Sequence, residues 1–269
     1  MSRFPSAGGL ALAFLFACHA TDSAQSPAAP ATATARDIPV WQDEFDGAGQ
    51  PDLGRWDYEV GFVRNKERQY YTRNRPQNAR VEDGMLIIEA HREPFQGGDY
   101  TSASLTSRAN WTYGRIEVRA KLPKGRGTWP AIWTLGSNIR EVGWPRCGEI
   151  DIMEHVGFDP GRIHSNIHTA AYNHVQRTNK GNSIQVPRPD EEFHVYSIAW
   201  TPAQIESFVD GQRYFSFGKE PGGDAVWPFD KAQYLILNLA IGGSWGGQKG
   251  IDDAAFPTRF LIDYVRVYQ

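Results

Sequence analysis

In residues 115–122 (RIEVRAKL) apolar and charged side chains alternate without a break: Ile116, Val118, Ala120 and Leu122 against Arg115, Glu117, Arg119 and Lys121. A repeat of two gathers the apolar groups on one face only if the backbone is extended, so this segment is a strand with one face in water. Residues 84–92, 101–108, 193–200 and 260–269 behave similarly, and nothing after Trp41 shows the 3.6-residue period of an amphipathic helix. Residues 204–217 (QIESFVDGQRYFSF) set Asp210-Gly211 between two strand-like runs, which predicts a tight hairpin. Residues 234–241 (YLILNLAI) are nearly all apolar and suit an inner strand covered on both faces. Many short strands punctuated by Gly, Pro and Asn, with no internal repeat to suggest a propeller, predict an all-β antiparallel sandwich or jelly roll.

The first part of the chain is excluded from that fold. Residues 1–17 carry Arg3 and then the run GGLALAFLFA, which is too short for a bilayer that needs about 20 residues, and they read as an export signal. Leu15-Phe16-Ala17-Cys18 resembles the bacterial lipoprotein signal, in which the cysteine becomes the lipidated first residue. A rival cut after Cys18-His19-Ala20 would release a soluble product. With His19 rather than Asp in the second mature position, the expectation is an outer-membrane lipoprotein of a bacterial cell, and otherwise a periplasmic or secreted protein. Residues 18–37, rich in Ala, Thr, Pro and Ser, bury too little to offset their ordering entropy and form a linker. The folded domain is expected over residues 38–269.

Composition narrows the partners. Lys and Arg number 28 against 31 Asp and Glu, a net charge of −3 that argues against a nucleic-acid partner. Two cysteines, Cys18 and Cys147, leave no disulfide framework and no cysteine metal cluster. The excess is aromatic, with 9 Trp, 11 Tyr and 14 Phe.

The segment that carries chemistry is Gly148-Glu149-Ile150-Asp151-Ile152-Met153-Glu154-His155. In a strand Glu149 and Asp151 share a face, whereas Glu154, an odd five residues from Glu149, falls on the other. One extra residue bulged out near Ile152–Met153 returns it to the acidic face. Three carboxylates on one face repel one another, a cost that a purely structural strand has no reason to carry. The bland alternative is a solvated acidic edge.

Together with residues 127–136 (GTWPAIWTLG), this motif resembles glycoside hydrolase family 16, and its bulged form Glu-x-Asp-x-x-Glu resembles the laminarinase-like branch. The similarity continues through 113–123, 193–211, 234–247 and 263–268. It implies a concanavalin-like β-jelly-roll sandwich with a long substrate cleft on its concave face. It also implies Glu149 as nucleophile, Glu154 as acid/base and Asp151 assisting between them. Such chemistry needs two carboxyls ~5–5.5 Å apart, one ionised and one protonated, and close negative charges help to keep one proton in place. Trp129 and Trp133 match cleft tryptophans, Trp245 in GGSWGG is a candidate sugar platform, and Asn65 matches a sugar-binding position. Trp41, Trp56, Trp111 and Trp200 are expected in the core.

His164 and His168 lie four apart on one strand face, ~13 Å from each other and too far to share a metal. His168 is expected to hydrogen-bond near the catalytic strand or else to be a satisfied structural histidine. Cys147 has no histidine arranged to activate it and reads as a small buried residue. The resemblance implies no catalytic cofactor. It does imply a candidate structural calcium on the convex face, held by the carbonyls of Glu44 and Gly84 and the side chain of Asp263. The expected activity is that of a retaining endo-β-1,3-glucanase acting as a monomer on β-glucan, with membrane contact only through Cys18. A mixed-linkage β-1,3-1,4-glucanase and a non-catalytic glucan-binding lectin are the alternatives, with linkage set by loops 92–100 and 172–190.

Overall fold

The computed structural model describes residues 38–269. The export signal, the linker and Cys18 lie outside the described residues. In chain order the strands are β1 (Trp41–Asp43), β2 (Trp56–Tyr58), β3 (Gln69–Tyr71), β4 (Ala79–Glu82), β5 (Met85–Phe95) and β6 (Gly98–Ser102). Then come β7 (Ser104–Ser107), β8 (Gly114–Lys121), β9 (Thr128–Gly136), β10 (Glu149–His155), β11 (Arg162–His168) and β12 (Lys180–Gln185). The last are β13 (His194–Trp200), β14 (Gln204–Val209), β15 (Gln212–Gly218), β16 (Gln233–Ile241) and β17 (Thr258–Tyr268). A four-residue helix, α1 (Ile139–Val142), and two single 3₁₀ turns are the helical parts among the described residues.

These strands form two sheets. Ten strands follow the order β15-β14-β13-β8-β17-β5-β6-β3, with β1 paired to β17 and β4 to β5. Seven follow the order β12-β11-β10-β9-β16-β7-β2. Every pairing is antiparallel except β3 with β6. Apolar residues of alternate positions meet between the sheets: Ile116, Val118, Ile198 and Val265 from the first against Ile132, Ile150, Ile167 and Leu237 from the second, all buried. Burying each such side chain is worth about 1.5–3 kcal/mol, which is why the period-2 pattern fixes the register.

The alternation in 115–122 holds residue by residue, with Ile116, Val118 and Ala120 buried and their charged neighbours half-exposed. The 204–217 hairpin also forms, and Asp210 and Gly211 both take positive φ, 50° and 78°, as a type I′ turn requires. β16 is covered on both faces along nearly its whole length. Trp56, Trp111 and Trp200 are core residues, and half-buried Trp41 packs edge-on against Trp56 and Trp111.

Three expectations change. Residues 101–108 are not one strand: the run breaks at Ala103, and β6 belongs to the ten-stranded sheet while β7 belongs to the other. Thr101, Ser102, Ala103, Ser104 and Leu105 are all buried, so burial continues through the break and no change of pattern marks the crossing. The segment 92–100 is not a loop but the tip of the β5–β6 hairpin, turning at Gln96-Gly97 with φ of 49° and 84°. Within 172–190, residues 180–185 form β12, the edge strand beyond β11. This edge strand is mostly exposed, so it lacks the buried face that marks a strand in sequence.

In the ten-stranded sheet, β1 and β5 pair with the same edge of β17 and leave Asp263 and Tyr264 between them. Glu44 follows β1 and Gly84 precedes β5, so the backbone brings the proposed calcium residues to one gap. The Asp263 carboxylate there accepts Arg119 Nη1 at 2.5 Å, and the Glu44 carboxylate is taken by Arg266.

Candidate active site

β10 lies between β9 and β11 near the middle of the seven-stranded sheet. Ile150 and Ile152 face the core, and Glu149 and Asp151 face outward. Against β9, Asp151 pairs with Trp133 and Met153 with Ile132, so Ile152 is the extra residue. Against β11 the register slips in the same place, between Asp151 and Glu154. The bulge read from the sequence is therefore present, and it returns Glu154 to the face of Glu149 and Asp151. Glu149 and Glu154 stand opposite Leu135 and Ala131, four ladder steps apart or ~13 Å at the backbone, so both long side chains must lean inward to approach.

Each glutamate is held by an indole. Trp144 Nε1 donates to Glu149 Oε2 at 2.7 Å, and Trp129 Nε1 donates to Glu154 Oε1 at 3.0 Å. His168 Nε2 lies 3.2 Å from Asp151 Oδ2 and 3.6 Å from Glu149 Oε1, as its register opposite Glu149 dictates. His164 stands opposite Glu154 instead, with its ring 4.9 Å from that of Trp245. Of the two, only His168 therefore reaches the acidic cluster, and the His164 ring packs against Trp245 instead. Cys147 is free and fully buried behind Glu149.

Burial pushes the proton affinity of all three carboxyls upward. Glu154 is raised well above the ordinary carboxylate range, by burial and then by the negative charges of Asp151 and Glu149, against which His168 and the Trp129 N–H pull it back. Glu149 is raised by burial and Asp151, but His168, the Trp144 N–H and Arg64 all pull it back toward ionisation. Both glutamates are thus pushed toward the protonated form by burial and by neighbouring negative charge, which is the condition for one of the pair to hold a proton near neutral pH.

Beside the carboxylates lies a polar floor. Trp133 Nε1 donates to Asn238 Oδ1 at 2.7 Å, and Asn238 Nδ2 donates to the Tyr71 hydroxyl at 3.0 Å. Tyr71, Gln69 Nε2 and Asn65 Nδ2 all donate to the buried Glu67 carboxylate, at 3.2, 2.7 and 3.2 Å. The Arg64 guanidinium covers the Trp133 ring at 4.8 Å from its centroid and pairs with Glu59. Trp245 meets Trp129 edge to face, with centroids 5.6 Å apart.

All the residues singled out beforehand for the cleft, Asn65, Trp129, Trp133, Glu149, Asp151, Glu154, His168 and Trp245, therefore fall on one face of this sheet or on the loops that border it. The expectation for Trp129 and Trp133 changes: both are buried, their N–H groups are engaged with Glu154 and Asn238, and Arg64 covers the Trp133 ring, so they shape the site by holding its polar groups. Sequence reasoning missed Trp144, Arg64, Glu67, Asn238 and His174. Trp144 sits five residues before Glu149, but its contact arises because the 137–148 loop folds back over the strand. His174 joins it from another loop, with ring centroids 5.0 Å from Trp144 and 5.1 Å from His168.

Residues 66–266 match the profile of the family described as Glycosyl hydrolases family 16. The chain is 54% identical over 241 residues to a beta-glucanase of Rhodothermus marinus, covering 86% of this chain and 84% of that protein. It superposes on the crystal structure of the laminarinase from Rhodothermus marinus with a TM-score of 0.84 at 53% identity, covering 86% of this chain and 96% of that one. It superposes equally on SCLam, a non-specific endo-β-1,3(4)-glucanase, with a TM-score of 0.83 at 48% identity over 86% and 91% of the two chains.

Proposed function

This chain belongs to glycosyl hydrolase family 16, and we propose that it is a retaining endo-β-1,3-glucanase that cuts β-glucan by double displacement. The observation that carries this reading is the bulged strand that returns both glutamates to one face, each fixed by an indole N–H. Glu149, ionised, attacks the anomeric carbon while Glu154 gives its proton to the glycosidic oxygen. The C–O bond breaks, the reducing-side fragment leaves as an alcohol, and the sugar is held as an ester on Glu149. Glu154, now ionised, takes a proton from water, whose oxygen attacks the same carbon and returns Glu149 as carboxylate. His168, within 3.2 Å of Asp151 and 3.6 Å of Glu149, holds the two carboxylates in place beside each other. Side chains supply the nucleophile and the proton, so the reaction as written needs no catalytic cofactor.

Reducing-end release on laminarin, barley β-glucan, lichenan and agarose tests the assignment. Laminarin is the expected best substrate, with products first appearing in the β configuration. The likeness to SCLam favours a second reading, cleavage of mixed-linkage β-1,3-1,4 chains, which lichenan activity equal to laminarin activity would support. Binding to glucan with no cleavage of any substrate would indicate a lectin instead, though a lectin has no use for the retained carboxylate triad.

A structural Ca²⁺ in the gap between β1 and β5 accompanies this proposal. Glu44 and Gly84 would offer carbonyls and Asp263 its carboxylate, freed from Arg119. A ligand at ~100 times its Kd adds about 2.7 kcal/mol to the stability of the state it binds. Millimolar Ca²⁺ is therefore expected to raise Tm by several degrees over the same protein in EDTA, and superimposable melting curves would refute the site.

The chain is further proposed to act as a monomer outside the cytoplasm, attached to a membrane through lipid on Cys18. Cys18→Ala should abolish incorporation of labelled palmitate and move the enzyme to the soluble fraction. Unlabelled wild-type protein would point to free secretion.

A further inference from the structure

A bulge leaves carbonyl groups out of the ladder, and a buried carbonyl without a donor is unstable by about 1–3 kcal/mol. At the bulge of β10 the carbonyls of Asp151 and Ile152 point into the sandwich, and neither relies on the sheet alone. Ser165 Oγ, from β11, donates to the Asp151 carbonyl at 2.7 Å. The Tyr214 hydroxyl, from β15 in the opposite sheet, donates to the Ile152 carbonyl at 2.9 Å. Because the Ser165 proton is already given to Asp151, Ser207 of β14 is the donor in the 2.7 Å contact between the two serines. All three hydroxyl-bearing residues are buried.

The opposite sheet is bulged as well. Between β14 and β15, Ser207 pairs with Phe215 and Phe208 with Arg213, so Tyr214 is the extra residue there. Its own carbonyl is taken by Asn182 Nδ2 of β12 at 2.8 Å. Two bulges thus face each other across an otherwise apolar core, joined by Tyr214 to Ile152 and by Ser207 through Ser165 to Asp151.

We infer that Tyr214, Ser165 and Ser207 are positioning residues for the glucanase reaction: the second bulge pins the first and so fixes where Glu154 stands relative to Glu149. The inference rests on the glucanase reading above. Its physical basis is the period of the strand. If the β10 bulge straightens, the chain beyond it slips by one residue and Glu154 turns to the core face, away from Glu149. Partial relaxation displaces the carboxyl without unfolding the sheet, and a shift of about 1 Å in a catalytic group can cost 10²-fold in rate.

The test is Tyr214→Phe, with Ser207→Ala as a second, smaller deletion and Tyr196→Phe as the control. Tyr196 is also buried, but its hydroxyl has no partner. Wild-type activity on laminarin is measured first, since its absence would fail the glucanase reading and not this one. The expected result is a fall in kcat of about 10–100-fold for Tyr214→Phe, with KM within a factor of about two, measured well below each Tm. Ser207→Ala should fall in the same direction and Tyr196→Phe should not. A kcat for Tyr214→Phe within twofold of the wild type, or an equal loss in Tyr196→Phe, overturns the inference. If Tyr214→Phe does not fold, Ser207→Ala decides by the same criteria. Titration of ¹³C-labelled glutamate carboxyls reads the site without turnover: the Glu154 resonance should move in the deletion variants and stay in the control, and coincident curves in all three would also overturn it.

Discussion

Glu149→Gln is expected to lower kcat on laminarin by roughly 10⁴–10⁶-fold, the scale of losing a covalent nucleophile. The amide keeps the size of the side chain and can still accept the Trp144 N–H through its oxygen, so the fold and glucan binding should persist. It cannot form the glycosyl ester. The check is paired: initial rates on laminarin, and retention of the variant on a laminarin affinity gel. Residual activity above about 1% of wild type would remove Glu149 from the role of nucleophile.

Glu154→Gln should behave differently, because a proton donor matters in proportion to how poor the leaving group is. On laminarin the expected loss is roughly 10²–10⁴-fold. On an aryl β-laminaribioside with an acidic phenol, the first step needs no proton, so glycosylation should remain fast and the ester should accumulate as a phenol burst. Azide, which needs no general base, should then restore turnover and yield the β-glycosyl azide. No burst and no azide effect would argue against Glu154 as the acid/base.

The same variant has a stability signature. Glu154 is raised well above the ordinary carboxylate range in the folded protein, chiefly by burial and then by Asp151 and Glu149. A raised carboxyl binds its proton more tightly folded than unfolded. Its stabilising effect is therefore present in acid and lost as pH climbs from the ordinary carboxylate range through the raised folded value. Glu154→Gln removes that loss, so its Tm should exceed that of wild type at pH 8, with the gap closing toward pH 5. A gap of the opposite sign at pH 8 would mean that the carboxylate is well solvated in its ionised form.

The strands were legible because burial on one face writes itself into the sequence with a period of two, as in 115–122. The break at Ala103 was not, since both of its flanks bury a face against the same core from opposite sides. The shared face of the three acids was legible for a related reason: at spacings of two and three they can share a face only through a bulge near Ile152–Met153, while their roles came from the family resemblance and the choice of Ile152 from the pairing with β9. Trp144 and Tyr214 were beyond reach of such counting. One meets Glu149 through a folded-back loop and the other meets Ile152 across the full thickness of the sandwich, and neither contact has a sequence period.

One pairing bears on how such an enzyme can be presented to its polymer. β1 lies along β17 with Trp41 opposite Val267, and the Val40 amide bonds to the Val267 carbonyl. Both ends of the described domain therefore lie side by side on the ten-stranded sheet, while the carboxylates open through the outer face of the seven-stranded one. Immobilising the protein through residue 38 or residue 269 would thus hold it by the sheet that does not carry Glu149, Asp151 and Glu154.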